Sequence, residues 1–218
     1  MAPKLIKIKN PDKEFHEPVD KNNIGNFMHP FRAILVGPPN SGKSFIVLNI
    51  LINQKPDFDK IFLYHVDGDI SKEYELLDGD IIHELPQISE INPSIKNLLI
   101  IEDINLESMP KNQKYLLDRL FGYVSTHKNL SVIVTAQVPF QIPVNLRRMC
   151  NILIIWKSMD VNALEILSRR FGLKSKTLNN IFKYELTEDH DSLMLDMTSN
   201  FAPFRKNIFE IFNINKYL

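Results

Sequence analysis

Gly37-Pro38-Pro39-Asn40-Ser41-Gly42-Lys43-Ser44 has the types and spacing of a phosphate-binding loop, G-x-x-x-x-G-K-[ST]. Each residue type answers a chemical need. A loop that wraps a phosphate must turn its backbone N–H groups inward, and Gly37 and Gly42 allow the angles and the close approach this requires. Pro38 and Pro39 carry no N–H, so the cradle must come from Asn40, Ser41, Gly42, Lys43, Ser44 and Phe45. A helix opening near Gly42 adds its positive N-terminal end. Lys43 is placed to reach the β- and γ-phosphates of ATP, and Ser44 to bind Mg²⁺ through its hydroxyl. A chance match to this pattern in a chain this long has odds of roughly 1 in 100.

ATP hydrolysis also needs an acid beside Mg²⁺ and a group that deprotonates or orients water. "LLIIED" offers both, four apolar residues followed by Glu102 and Asp103. Glu102 is the expected metal-side acid, with Ser44, and Asp103 the expected base. A shifted reading has Asp103 holding Mg²⁺ and Glu107 as the base. The apolar run "LSVIVTAQ" ends in Gln137, a polar side chain able to sense the γ-phosphate or position the water.

These residues need a scaffold. Five near-continuously apolar runs read as buried strands: "AILVG", "KIFLYHV", "KNLLIIED", "LSVIVTAQ" and "NILIIWK". Helical patterns alternate with them. "GKSFIVLNILIN" follows the loop, "KNQKYLLDRLFGYVSTH" carries Leu116, Leu117, Leu120 and Val124 on one face, and residues 160–185 look helical. "SLMLDMTS" and "NIFEIFNI" suggest a small terminal pair of strands. "LIKIK" reads as an exposed edge strand within an arm over residues 1–30, leaving one α/β domain over residues 31–218.

Composition sets further bounds. Among 218 residues, Lys+Arg and Asp+Glu both number 26, so no global basic field points to nucleic acid. The single cysteine, Cys150, excludes an intramolecular disulfide and suits a small buried residue before a strand. No apolar run approaches the ~20 residues of a membrane span, and "MAPKLIKIKN" lacks a signal-peptide core, so an intracellular protein is expected. The six histidines lack zinc-ligand spacing. Lys111, Lys114 and Lys128 suit a solvated helix face better than a pore lining.

The chain resembles the viral genome-packaging ATPases of the FtsK–HerA superfamily, the type of poxviruses, giant viruses, virophages and Maverick-type elements. The likeness is carried by "HPFRAILVGPPNSGKS", "KIFLYHV", "LLIIED" and "SVIVTAQVPFQIPVNLRRMCNILIIWK", over roughly residues 28–172. Glu102 stands where that family generally has Asp. The resemblance implies a RecA-like P-loop core of the ASCE type, with strand order 5-1-4-3-2. It implies a homo-oligomeric ring that drives double-stranded DNA into a preformed capsid, at its portal vertex. It also implies an arginine finger given to a neighbour's ATP, at Arg147 or the adjacent Arg148. The expected setting is a virus-infected host cell, with the protein at the assembling virion.

Two other functions compete. A P-loop nucleotide kinase needs a lid of arginines over the phosphates. The obvious clusters are Arg147-Arg148 and Arg169-Arg170, and the first follows a Gln-ended strand, which favours the motor. A nucleotide-gated interaction protein would have no need of two acids at Glu102 and Asp103.

Overall fold

The computed structural model describes residues 24–65, 74, 77, 79–158 and 160–217. The expected edge strand at residues 5–9 and most of the expected arm lie outside them. In chain order the elements are β1 (Arg32–Val36), α1 (Lys43–Asn53), β2 (Lys60–Tyr64), β3 (Asp80–Ile82), β4 (Asn97–Ile101), α2 (Lys111–Arg119), α3 (Ser125–His127), β5 (Leu130–Ala136), α4 (Val144–Met149), β6 (Ile152–Trp156), α5 (Val161–Ser168), α6 (Ser175–Tyr184), β7 (Ser192–Asp196), β8 (Phe204–Lys206) and β9 (Glu210–Ile211).

The strands of the described residues form one sheet, in the order β3-β2-β4-β5-β1-β6-β7-β8-β9. Its first six strands are parallel. The five strands expected from sequence appear in the order β6-β1-β5-β4-β2, which is 5-1-4-3-2 in their own numbering. The sheet differs from expectation at both edges. β3 adds a short parallel strand beside β2. The C-terminal strands are not a separate pair: β7 joins β6 antiparallel, β8 pairs with β7, and β9 with β8. The reason is burial. Every residue of β7 is buried, and a strand covered on both faces belongs inside a sheet.

Alternate residues of the strands face two separate cores. Ala33, Leu35, Ile133 and Ile154 meet Ile46, Val47 and Ile50 of α1. Ile34, Val36, Val132 and Val134 meet Leu117 of α2, Leu164 of α5 and Ile181 of α6. Helices on both faces explain why the strands read as unbroken apolar runs. The helix expected over residues 111–127 is continuous but not uniform. A π turn, Leu120–Val124, joins α2 to α3 and carries Leu120, Phe121 and Val124 into the core.

Residues 24–31 are fixed to the domain. Gln54 accepts from Phe27 N at 3.2 Å and donates to Phe27 O at 2.9 Å. Arg205 donates to Ile24 O at 2.6 Å and to Asp196 Oδ2 at 2.5 Å. Both side chains of that ion pair are fully buried. Asp196→Ala would leave the guanidinium buried without its countercharge, so it is expected to destabilise the fold by about 3–5 kcal/mol. A urea titration checks this: the midpoint should fall while the slope is kept.

Candidate active site

The phosphate-binding loop leaves β1 at the C-terminal edge of the parallel strands. Gly37 N donates to Ala136 O at 3.2 Å, extending the β1–β5 ladder by one rung. A Cβ on Gly37 would stand 2.7 Å from Ser41 Oγ and 2.9 Å from Trp156 Cε3, so no side chain fits there. Asn40 and Gly42 adopt left-handed backbone, with φ of 59° and 98°. Asparagine tolerates that region, and glycine enters it without strain. Ser41 N turns back to Pro38 O at 3.3 Å. The first intrahelical bond, Ile46 N to Gly42 O at 3.0 Å, leaves the N–H groups of Lys43, Ser44 and Phe45 without helical acceptors. They are the donors the loop can turn to a phosphate.

Lys43 Nζ is held at the mouth of the loop by the carbonyls of Gly37 and Pro38, at 2.9 and 3.0 Å. Burial pulls its pKa below the usual lysine value, and the carboxylates of Asp103 and Glu102 work against that pull.

The two acids beyond β4 point to different partners. Glu102 N continues the ladder to Tyr64 O at 3.2 Å. Its Oε1 accepts from Ser44 Oγ at 3.1 Å. A hydroxyl beside a carboxylate is a pair of hard oxygens, the donor chemistry Mg²⁺ takes, so Ser44 and Glu102 fit that ion. Asp103 has φ 46°. This left-handed residue ends the strand geometry that would send neighbouring side chains to opposite faces. Its N–H is fixed by Thr135 Oγ1 at 2.9 Å, and its Oδ2 accepts from Gln137 Nε2 at 2.8 Å. Gln137 is in turn placed by its N–H, bound to Gln141 Oε1 at 2.9 Å. Glu107 stands in a short 3₁₀ turn and is ion-paired to Lys114 at 3.1 Å. The geometry therefore sets Glu102 with Ser44 and Asp103 with Gln137.

The arginines sort by their contacts. Arg169 is bound to Glu165 at 2.7 Å. Cys150 Sγ donates to Arg147 O at 3.3 Å, and burial pushes its thiol up to about 11. Arg147 and Arg148 stand in the last turn of α4. Arg147 is partly buried and Arg148 exposed. Among the described residues neither has an ion pair, and Arg147 Nε has no hydrogen-bond partner. Lys128 is tied to Ile88 O at 2.9 Å.

Sequence reasoning missed two features. Thr135 holds Asp103, and a lone polar residue inside "VIVTA" was the available sign, because a buried hydroxyl needs a partner. Trp156 walls Gly37 from β6, and no local pattern reveals that contact.

No protein-family model and no curated protein matches the chain. Solved structures do. The genome packaging NTPase B204 of Sulfolobus turreted icosahedral virus 2, in complex with AMPPCP, superposes with a TM-score of 0.56. The two chains are 14% identical, and the match covers 87% of this chain and all of the other. The pCW3 conjugation coupling protein TcpA gives 0.52 at 17% identity, over 96% of this chain and 72% of that one. The cytoplasmic domain of the Thermomonospora curvata type VII secretion ATPase EccC gives 0.54 at 8% identity, over 84% of this chain and 26% of its own length. Taken with the loop and the strand order, these likenesses identify the fold as that of the RecA-like P-loop NTPases.

Proposed function

We propose that the chain is an ATP-hydrolysing motor that moves double-stranded viral DNA into a preformed capsid. One observation carries the hydrolytic part: a P-loop faces two acids with separate partners, Ser44–Glu102 and Asp103–Gln137. The backbone N–H groups of Asn40 and of Gly42 to Phe45, with Lys43, would bind the phosphates, and Gly37 gives the loop room to close. Ser44 and Glu102 would hold Mg²⁺, which supplies positive charge to the phosphate oxygens when bound. Asp103 would take the proton of the attacking water, oriented by Gln137. Arg147 would act on a neighbour's ATP.

The packaging part rests on the sequence resemblance, and on the likeness to a structure described as a genome packaging NTPase. A kinase reading is disfavoured because Arg169, one of the arginines a phosphate lid would need, is ion-paired to Glu165. A homo-oligomeric ring suits the zero net charge, because it places the same few basic residues around a duplex several times. The expected setting is the assembling virion in an infected cell, with the capsid portal as partner. We take residues 31–218 as the ATPase domain and 1–30 as its arm, whose end, residues 24–30, packs onto that domain. Among the described residues no helix is long and apolar enough to cross a membrane.

The test is ATP turnover per chain, with and without double-stranded DNA, across a range of protein concentrations. Turnover should rise with both. Constant specific activity from dilute monomer upward, indifferent to DNA, would reject a ring motor.

A further inference from the structure

A second cavity adjoins the phosphate loop. It measures about 460 Å³, within the range of small-ligand pockets, and lies between α1 and the C-terminal strands. Gly42 lines both it and the loop. Two exposed aromatic side chains stand at its walls, Phe45 at 67% and Phe209 at 42%. We infer that this cavity is the nucleobase slot of the ATP site, with the base stacked against Phe45 and Phe209. The inference rests on the P-loop reading above and extends it to residues that no motif names.

The slot is built as one piece with the phosphate loop. Trp156, whose ring closes on Gly37, donates from Nε1 to His190 O at 3.1 Å, and His190 lines the slot. Phe209 sits in the three-residue turn between β8 and β9. A Cβ on Gly25 would stand 2.8 Å from Phe209 Cε1, so the ring rests directly on the Gly25 backbone. Asn207, in the same turn, adopts left-handed backbone with φ 54°, and its Oδ1 accepts from Ser192 N and Oγ at 3.0 and 3.2 Å. Its amide N–H₂ also donates to the Asp191 carboxylate, which leaves one N–H beside the slot. Asn49 donates from Nδ2 to Phe45 O at 2.9 Å, which leaves its Oδ1 as acceptor. Two asparagine side chains thus edge an otherwise apolar slot, one with an acceptor and one with an N–H, the polar groups a nucleobase edge can meet. A base there is also in covalent reach of phosphates on the loop, since Gly42 belongs to both.

The experiment measures binding of ATPγS and of inorganic tripolyphosphate to the whole chain and to two variants, Phe209→Ala and Phe209→Tyr. Base–aromatic stacking predicts that Phe209→Ala raises the ATPγS dissociation constant about 10- to 100-fold. Tripolyphosphate binding should change less than twofold, and Phe209→Tyr should restore ATPγS binding. Loss of affinity for both ligands would mean that Phe209 supports the loop structurally, and would overturn the slot. Unchanged ATPγS binding would also overturn it, and a simultaneous shift in oligomeric state would mark the cavity as a contact between copies. Failure of the unmodified chain to bind either ligand would instead reject the P-loop reading itself.

Discussion

Asp103→Asn should lower ATP turnover by about 10²–10⁴ while leaving nucleotide binding within a few-fold of the original. As the proposed base, the carboxylate would accept a proton only as the water attacks, so its loss belongs in kcat and not in ground-state affinity. Structure should survive the change. The Asp103 backbone is fixed through its own N–H to Thr135, and an asparagine can still accept from Gln137. Left-handed backbone at φ 46° also favours asparagine among the replacements. The measurement is single-turnover hydrolysis beside equilibrium binding of ATPγS. If Glu107→Gln proved inactive but binding-competent, and Asp103→Asn stayed active, the base would move to Glu107. The ion pair between Glu107 and Lys114 argues against that outcome.

Arg147→Ala and Lys43→Ala chains should each be inactive alone and should recover part of the activity when mixed. Charge builds on the γ-phosphoryl oxygens as the bond to the β-phosphate breaks, and one guanidinium there is worth about 10³–10⁵ in rate. Lys43 would act on its own chain's phosphates, from a position fixed by Gly37 O and Pro38 O. Arg147 would act on a neighbour's. A mixed ring therefore joins an intact P-loop from an Arg147→Ala chain to an intact finger from a Lys43→Ala chain. The assay is ATP hydrolysis in rings whose mixed composition is verified by mass. Absent recovery, or full activity in Arg147→Ala alone, would reject the role and move the search to Arg148, which is exposed in the same turn of α4. Arg170 would follow, and Arg169 is a weaker successor, since Glu165 holds it.

Much of the site was legible in one dimension because its chemistry is local. The phosphate loop is a single run of backbone, so Gly37, Gly42, Lys43 and Ser44 must appear together in the chain. The acids had to end a buried strand, and "LLIIED" shows both strand and acids in six residues. Fully covered strands announce themselves as apolar runs, which gave the five parallel strands. Their lateral order came with the family resemblance and not from periodicity, since an apolar run carries no record of its neighbour. For the same reason β7 read as half of a separate pair, although it lies against β6. β3 escaped notice because three residues, half-exposed, make too short a pattern.

The sequence by itself determined the P-loop motif, the strand-ended acids and an α/β core, because each is written in contiguous residues. Tertiary structure alone decided which acid meets which partner. Ser44 reaches Glu102 across 58 positions, and Gln137 reaches Asp103 across 34. It also brought Phe209 and His190 beside α1, from the far end of the chain. The physical reason is common to all of these. Parallel strands end at one edge of the sheet, so loops remote in sequence converge there, and that convergence depends on strand order, which no local pattern encodes.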